Sequence, residues 1–249
     1  MTLYMHAFRP DVGRLVRLAA RERLLPPGDD LGYALHVVLA ATFADAAPKP
    51  FAWCPPGTPS GAATGRLLCY SSTSLNALQE HATNSGDPAF ASVLDVSGAA
   101  SKEMPTMFST GKRFDFRVRV RPVLRTGKSR DGSGGKERDA YLSSPDDAGS
   151  IVSRGECYLA WLTERLCAGG ARLEKGRLDS FRLTRLMTRD RSGEKSRRDA
   201  PTGPDAFATG TLVVSDTAAF AALLARGIGR FRAVGFGMLL LAPPATVED

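Results

Sequence analysis

The spacing of apolar residues divides the first hundred positions into alternating strands and helices. Residues 2–8 alternate apolar and polar side chains, which predicts an opening strand. Apolar residues at helical spacing predict helices at 11–25 and 31–43, and a Pro-Pro-Gly sequence at 26–28 must separate them. A third helix is predicted at 74–83, with strands at 67–72 and 90–96 on either side of it. This succession is typical of a ferredoxin-like sheet with helices on one face.

The second half repeats this pattern after an expected linker at 99–111. The clearest strand of the chain follows at 113–123, where Phe114, Phe116, Val118 and Val120 alternate with charged residues. We expect its apolar face to meet a core and its arginine face to meet solvent. The later patterns predict a helix at 155–168, a β-hairpin at 180–198 with its tip at 190–193, a strand at 210–215, a helix capped by Ser215 or Asp216, and a strand at 236–241.

The charge balance of the chain favours a polyanionic partner. Lys and Arg number 33 against 26 acidic residues, which gives a net charge of +7 and points to nucleic acid first and an anionic membrane surface second. No apolar run could span a bilayer and the N-terminus lacks a signal-peptide pattern, so we expect a cytoplasmic protein without membrane contact. The four cysteines form no CxxC pair, so we expect no metal site and no cofactor.

Residues 227–237, GIGRFRAVGFG, contain four glycines in two G-x-G pairs. A dinucleotide-binding fingerprint needs a preceding strand and a glycine at its sixth position, whereas this loop follows a predicted helix and has Arg232 there. The backbone of such a loop can come close to another backbone or to phosphates. The simpler alternative is a tight helix-to-strand connection with two exposed arginines.

Residues 209–244 resemble the C-terminal signature of the CasE family of CRISPR-associated endoribonucleases, in which a strand, a short helix, a glycine loop and a final LLxLAP strand close the chain. Three further segments are similar to that family in the same order: GYALH at 32–36, FRVRVRP at 116–122 and YLAWLTERLCAGGAR at 158–172. The resemblance implies an α+β fold of two tandem ferredoxin-like (RRM-like) domains, here 1–105 and 106–249. It also implies cleavage of a CRISPR repeat hairpin and retention of the product within the Cascade complex.

The helix at 31–43 carries the candidate catalytic residues. Tyr33 and His36 lie one turn apart on the same side, off the apolar stripe, so both could reach a cleft between the domains. Histidine titrates near neutrality and can serve as a general base or a general acid. Spacing alone favours two ordinary, partly buried helix residues, whereas the resemblance implies that the YxxH element is the catalytic pair. Of the other histidines, His6 is expected to be structural and His81 exposed.

Metal-independent cleavage of RNA also needs a positive charge close to the reacting phosphate. Helices of the CasE family often carry Lys or Arg one turn beyond the histidine, but residues 37–43 are all uncharged here. The charge must therefore come from elsewhere, and the candidates are Arg14, Arg17, Arg230 and Arg232.

Two segments concentrate basic residues, with ten Lys or Arg against three acids at 112–138 and eight against three at 177–198. Double-stranded RNA is recognised mainly through shape and phosphate charge, and an arginine-rich hairpin suits that task. A solvated basic face that only aids solubility is the alternative. The expected RNA-binding residues are Arg117, Arg119, Arg121, Arg182, Arg185, Arg189, Arg191, Arg197, Arg198, Gly227, Gly229, Arg230, Arg232, Gly235 and Gly237.

These observations predict a metal-independent endoribonuclease that cleaves precursor CRISPR RNA at the repeat hairpin. The products would carry a 2′,3′-cyclic phosphate and a 5′-hydroxyl, and the expected partners are the repeat RNA and other Cascade subunits. Two alternatives stay open: a non-catalytic RNA-binding subunit of such a complex, and a basic RNA- or ribosome-associated protein unrelated to CRISPR.

Overall fold

The computed structural model describes residues 2–26, 30–58, 60–61, 63–126, 136–143, 153–189, 197–199 and 202–244. The first half follows the order β1, α1, α2, β2, β3, α3, α4 and β4. The bounds of these elements are Tyr4–Phe8, Val12–Arg21, Gly32–Phe43, Phe51–Cys54, Arg66–Ser71, Leu75–Asn84, Pro88–Ala91 and Ala100–Glu103.

The second half contains eight strands and two longer helices within the described ranges, in the order β5, β6, β7, α5, β8, β9, β10, β11, α6 and β12. Their bounds are Arg113–Val120, Val123–Thr126, Lys136–Asp139, Arg154–Cys167, Ala171–Thr184, Met187–Arg189, Arg197–Asp199, Gly203–Val214, Thr217–Arg226 and Leu240–Ala242.

Two four-stranded antiparallel sheets organise the protein. The strand order is β2-β3-β1-β4 in the first sheet and β12-β5-β11-β8 in the second. In each sheet the first and third strands of a β-α-β-β-α-β succession lie at the centre, and the second and fourth form the edges, which is the ferredoxin-like topology. The predicted α+β fold of two tandem ferredoxin-like units is therefore confirmed. Two short hairpins, β6–β7 and β9–β10, lie outside these sheets.

Local hydrogen bonds explain where several helices begin. Asp11, Ser74 and Asp216 each accept a backbone N–H in the first turn of α1, α3 and α6. At the start of α5, Ser153 and Glu156 form a reciprocal capping box. These helices match the predicted ones to within a few residues.

Three predictions about the first half are wrong. Residues 90–96 form no strand, because Asp87 caps a short helix that starts at Pro88. The expected linker at 99–111 contains the edge strand β4, whose four side chains are all exposed. The short strand β2 was not predicted, because it lies within Pro- and Gly-rich sequence.

Each sheet buries one face under its helices. The second core is formed by α5, α6 and the apolar face of β5, as predicted. The first core lies around α1 and α2, and residues from the second half complete it: Leu186, Met187, Val234 and Phe236. The two halves therefore share a core, and the segment before β12 is part of it. No helix in the described ranges is long and apolar enough to cross a bilayer.

A buried hydrogen bond joins the two sheets. The Tyr70 hydroxyl, on β3, donates to the carbonyl of Leu239, just before β12, at 3.0 Å. Tyr70 packs there with Met104 and Met238. Since Tyr70 is 1% exposed, water cannot replace this donor.

We expect Tyr70→Phe to lower the free energy of unfolding by about 1–2 kcal/mol, because it leaves the buried carbonyl of Leu239 without its donor. Urea denaturation measures this loss. The matched control is Tyr4→Phe, because the hydroxyl of Tyr4 has no hydrogen-bond partner among the described residues. Equal stability of the two variants would contradict a linking role for the Tyr70 hydroxyl.

Candidate functional site

The helix α2 is almost entirely buried. Tyr33 is 7% exposed and belongs to the first core, whereas His36 is only partly buried. Their ring centroids are 6.0 Å apart. Burial first, and the positive charge of Lys49 second, hold the pKa of His36 below its ordinary value. His36 is therefore neutral near pH 7 and available as a proton acceptor.

The other two histidines lie away from this position. His6 is fully buried in β1, and its Nε2 is 3.0 Å from the carbonyl of Thr73. His81 lies exposed on α3. Both placements agree with the predictions and leave His36 as the accessible imidazole of a buried helix.

The glycine loop, residues 227–237, connects α6 to the segment before β12. All four of its glycines have φ between 70° and 91°, a region that residues with a Cβ rarely adopt. The amide of Ile228 donates to the carbonyl of Gly237 at 2.8 Å and closes the loop. A Cβ at Gly229 would lie 2.9 Å from the ring of Trp161, and one at Gly237 would lie 2.1 Å from the Ile228 carbonyl oxygen.

The glycine loop packs against the start of α2. A Cβ added at Gly32 would lie 2.2 Å from the carbonyl oxygen of Val234, so helix and loop are in direct backbone contact. His36 follows Gly32 by one helical turn and lies on the same face. The loop therefore forms a wall beside the candidate catalytic histidine.

A basic pocket of ≈ 570 Å³, here called the loop pocket, opens at the outer side of the glycine loop. Arg230 pairs with Glu137 at 2.6 Å, and the Arg232 guanidinium donates to the carbonyl of Arg226 at 2.7 Å. The lining residues include Lys49, Arg226, Gly229, Arg230, Phe231 and Arg232. Sequence reasoning did not select Lys49, because this lone lysine lies in a Pro-rich stretch without any motif.

The arginine face of β5 does not face solvent as expected. The guanidinium of Arg119 is 13% exposed and makes two hydrogen bonds to Asp205, at 2.8 and 2.7 Å, and one to Asp30. Arg182 and Thr184 also donate to Asp205, each at 2.9 Å. We call these five residues the Arg119 cluster. Arg119 therefore holds the two halves together and has no free donor face for RNA.

Arg121 is also withdrawn from the surface. It is 3% exposed, and its Nη1 donates to the carbonyls of Thr184 and Gly203 at 3.2 and 3.5 Å. Its guanidinium carbon lies 5.1 Å from the ring centroid of Phe231 in the glycine loop. Arg121, like Arg119, is therefore withdrawn from the surface on which RNA binding was expected, whereas Arg113 at the start of β5 is exposed.

A second cavity, of ≈ 280 Å³, lies between the two sheets. Arg117 and the half-exposed Arg182 line it, together with Trp53 and Phe207. Neither Tyr33 nor His36 is among its described lining residues. The convergence of the pair on a cleft between the domains therefore stays a prediction.

The predicted hairpin at 180–198 is present as β8 leading into β9 and β10. Positions 189 and 197 are paired across the two short strands, and so are 188 and 198. Arg185, which precedes the hairpin, is exposed. Arg191 and the predicted tip at 190–193 lie outside the described residues. Three of the predicted RNA-binding arginines therefore belong to one hairpin beyond the end of the second sheet: Arg189, Arg197 and Arg198.

Among the described residues, no group of three His, Cys, Asp or Glu side chains could hold a metal ion.

Comparison with known proteins identifies the family. The model of the family described as CRISPR associated protein matches residues 5–243. The chain belongs to this family. No curated protein matches the sequence of this CRISPR-associated protein.

Solved structures share the fold of this CRISPR-associated protein over nearly its whole length. Cse3 from Thermus thermophilus, bound to an RNA representing a pre-cleavage complex, is 20% identical, with a TM-score of 0.62 over 98% of this chain and 100% of that one. The CRISPR endoribonuclease Cse3 bound to a 19 nt RNA is 18% identical, with a TM-score of 0.62 and coverage of 97% and 98%. A chain of a CRISPR RNA-guided surveillance complex in a pre-nicking state is 19% identical, with a TM-score of 0.53 and coverage of 97% and 100%.

We expect Arg119→Met to lower the free energy of unfolding by about 3–5 kcal/mol, because it leaves Asp30 and Asp205 buried without their main cation. Arg113→Met is the matched control on the same strand. Arg113 pairs with Glu174 at the surface, and its loss should leave stability nearly unchanged. Denaturant titration of both variants checks this, and equal losses would contradict a structural role for Arg119.

The Arg119 cluster also predicts that the stability of the protein depends on pH. Burial alone would raise the pKa of Asp205, but hydrogen bonds and the charge of Arg119 outweigh it and hold the pKa below its ordinary value. The stabilisation is therefore complete at neutral pH and is lost as the pH falls through the lowered pKa. The stability difference between wild type and Arg119→Met should shrink towards acidic pH. A difference that is constant from pH 7 to pH 3 would contradict the ion pairs as its cause.

Proposed function

We propose that this protein is a metal-independent endoribonuclease that cleaves CRISPR precursor RNA at the repeat hairpin. The observation that carries the proposal is that α2, which bears the partly exposed and neutral His36, packs on the glycine loop whose other side lines a basic pocket. The same fold in Cse3, an endoribonuclease solved with RNA in a pre-cleavage complex, supports it.

The reaction is an internal transesterification that needs no external reactant. The 2′-oxygen attacks the adjacent phosphorus, and its proton passes to a base. The bond between phosphorus and the 5′-oxygen breaks, and that oxygen receives a proton. The products are a 2′,3′-cyclic phosphate and a 5′-hydroxyl. We assign the role of the base to His36, because its lowered pKa keeps the imidazole unprotonated near pH 7.

The role of Tyr33 follows from its burial. Its ring is packed in the first core and lies against the imidazole. We assign it to holding the His36 ring in place, with its hydroxyl as a further donor towards the phosphate. Gly227, Gly229, Gly235 and Gly237 give the loop its closed form. Gly229 lines the loop pocket together with Arg230 and Arg232, which we assign to RNA contacts.

The remaining arginines are assigned to the RNA stem. Arg182 and Arg185 lead into the hairpin, and Arg189, Arg191, Arg197 and Arg198 belong to it. Arginines can hold the phosphates of a duplex without sequence readout. Arg117, at the inter-sheet cavity, is left for RNA that extends beyond the stem.

The setting of the protein follows from the same proposal. We place the domain boundary between residues 105 and 106, between the strands of the first and second sheets. A surveillance-complex chain with this fold supports membership of the Cascade assembly, with the bound guide RNA and other Cascade subunits as partners. The cytoplasm, where precursor RNA is made, is the compartment that suits this substrate.

We expect His36→Ala to slow single-turnover cleavage of the host's own repeat RNA by about 10²- to 10⁴-fold, the contribution of one general base. The affinity for RNA should stay close to that of wild type. The reactions contain EDTA, and His81→Ala is the matched control on an exposed helix. Binding without cleavage by the wild-type protein would instead favour a non-catalytic RNA-binding subunit.

The hairpin arginines should hold the RNA through charge. We expect Arg189→Ala with Arg197→Ala to reduce the slope of log K against log salt concentration by nearly two, at about 0.9 per lost phosphate contact. Cleavage at saturating protein should persist, since these residues transfer no proton.

The control for the hairpin variant is Arg21→Ala with Arg66→Ala, which removes the same net charge from the exposed surface of the first half. An unchanged affinity and slope in the hairpin variant would show that the hairpin does not hold the RNA. The exposed arginines at Arg182 and Arg185 would then be the next candidates.

A further inference from the structure

Cleavage of RNA by transesterification builds up negative charge on the phosphate in the transition state. A cation or aligned donors next to the phosphate lower that barrier. The helix that carries His36 offers no such group, because residues 37–43 are uncharged. The structure therefore has to supply a cation from another element.

The arginines that the sequence suggested for this role are engaged elsewhere. Arg14 pairs with Asp11 at 3.3 Å, and the guanidinium of Arg17 lies over Gly13, so both stay at the start of α1. Arg230 is paired with Glu137 and keeps only part of its charge for a ligand. The Arg232 guanidinium is tied to the carbonyl of Arg226 at the end of α6.

Lys49 is placed differently. It lies in the segment between α2 and β2, its side chain is exposed, and it lines the loop pocket. Its neighbour Pro50 packs on the glycine loop, where a Cβ at Gly227 would lie 3.0 Å from Pro50 Cγ. Among the described residues, no carboxylate lies within ion-pair distance of Lys49. Its ammonium group is thus free to meet a bound anion.

We infer that Lys49 is a catalytic residue that contacts the scissile phosphate in the loop pocket and stabilises its charge in the transition state. This inference rests on the proposed function. Gly229, Arg230 and Arg232 also line this pocket, and the two arginines add to its positive charge. His36 and Lys49 then approach one phosphate from two elements that are both packed on the glycine loop.

The electrostatic coupling of these two residues supports this arrangement. The positive charge of Lys49 acts on His36 and, after burial, is the second cause of its lowered pKa. Such an effect requires the two side chains to lie near one another, which agrees with their positions on two elements that both pack on the glycine loop. Removal of Lys49 should let the pKa of His36 rise. The acid limb of the pH–rate profile should then move to higher pH, since only the neutral imidazole accepts a proton.

The test compares Lys49→Ala, Lys49→Arg and Lys102→Ala in single-turnover cleavage of the host's repeat RNA. We expect Lys49→Ala to lose about 10²- to 10³-fold in rate, as on removal of one oxyanion donor, and Lys49→Arg to recover most of it. Lys102 is the matched control, an exposed lysine on β4 at the opposite edge of the first sheet. Binding is measured with a repeat RNA that carries a 2′-deoxy nucleotide at the cleavage site, and affinity should change much less than rate.

The outcomes separate this inference from the proposed function. Slow cleavage by Lys49→Ala, together with an acid limb of its pH–rate profile moved to higher pH, supports the role of Lys49. If Lys49→Ala cleaved at the wild-type rate with an unshifted pH–rate profile while His36→Ala was inactive, the role of Lys49 would be overturned. The proposed endoribonuclease activity would still stand. Absence of cleavage by the wild-type protein would overturn the proposed function itself. Equal losses of cleavage rate in Lys49→Ala and Lys102→Ala would also contradict the inference, because they would show an effect of the overall positive charge of the protein.

Discussion

The Arg119 cluster is the interaction on which the rest of the structure depends. The side chain of Arg119 binds Asp205 on β11 and Asp30 just before α2, and its carbonyl oxygen accepts the amide of Gly237 at 2.7 Å. One residue thus fixes the second sheet, the start of α2 and the end of the glycine loop. A buried ion pair of this kind stabilises little by itself, but loss of one partner is costly. Its contribution here is to fix the positions of three elements relative to one another.

The candidate site depends on that relative position. His36 lies one turn beyond the point where Gly32 meets the carbonyl of Val234, so the placement of the imidazole follows from a backbone contact. Such a contact leaves no room for a side chain, and it is therefore much stiffer than packing between flexible groups. The positive-φ glycines do not need a role in RNA binding to be explained, since the closed loop and its contact with Trp161 already require them. Their contribution to function is to hold the wall of the pocket close to the helix.

Much of the fold could be predicted from the sequence, because its signals are local. The alternation in β5 predicts which side chains enter the second core, and Asp and Ser caps mark several helix starts. The strand β4 escaped prediction because its sequence, ASKE, has no buried face and is held only by pairing with β1. The role of Arg119 and Arg121 also escaped it, because an alternating pattern shows that one face is polar but not what that face meets. For the site, the resemblance of the YxxH element pointed to His36, whereas Lys49 is brought to the loop pocket by tertiary packing.

The exposed segment after α2 lets Lys49 keep its charge. A lysine at one of the buried positions of α2, such as Val38 or Leu39, would lose its hydration, and its pKa would fall. Lys49 lies instead in a segment that follows the helix, where its side chain is exposed and its ammonium group stays hydrated until RNA binds. Its neighbour Pro50 packs on the glycine loop, so the backbone beside Lys49 is held against that loop. Tertiary packing thus brings to the loop pocket a cation that α2 itself does not carry.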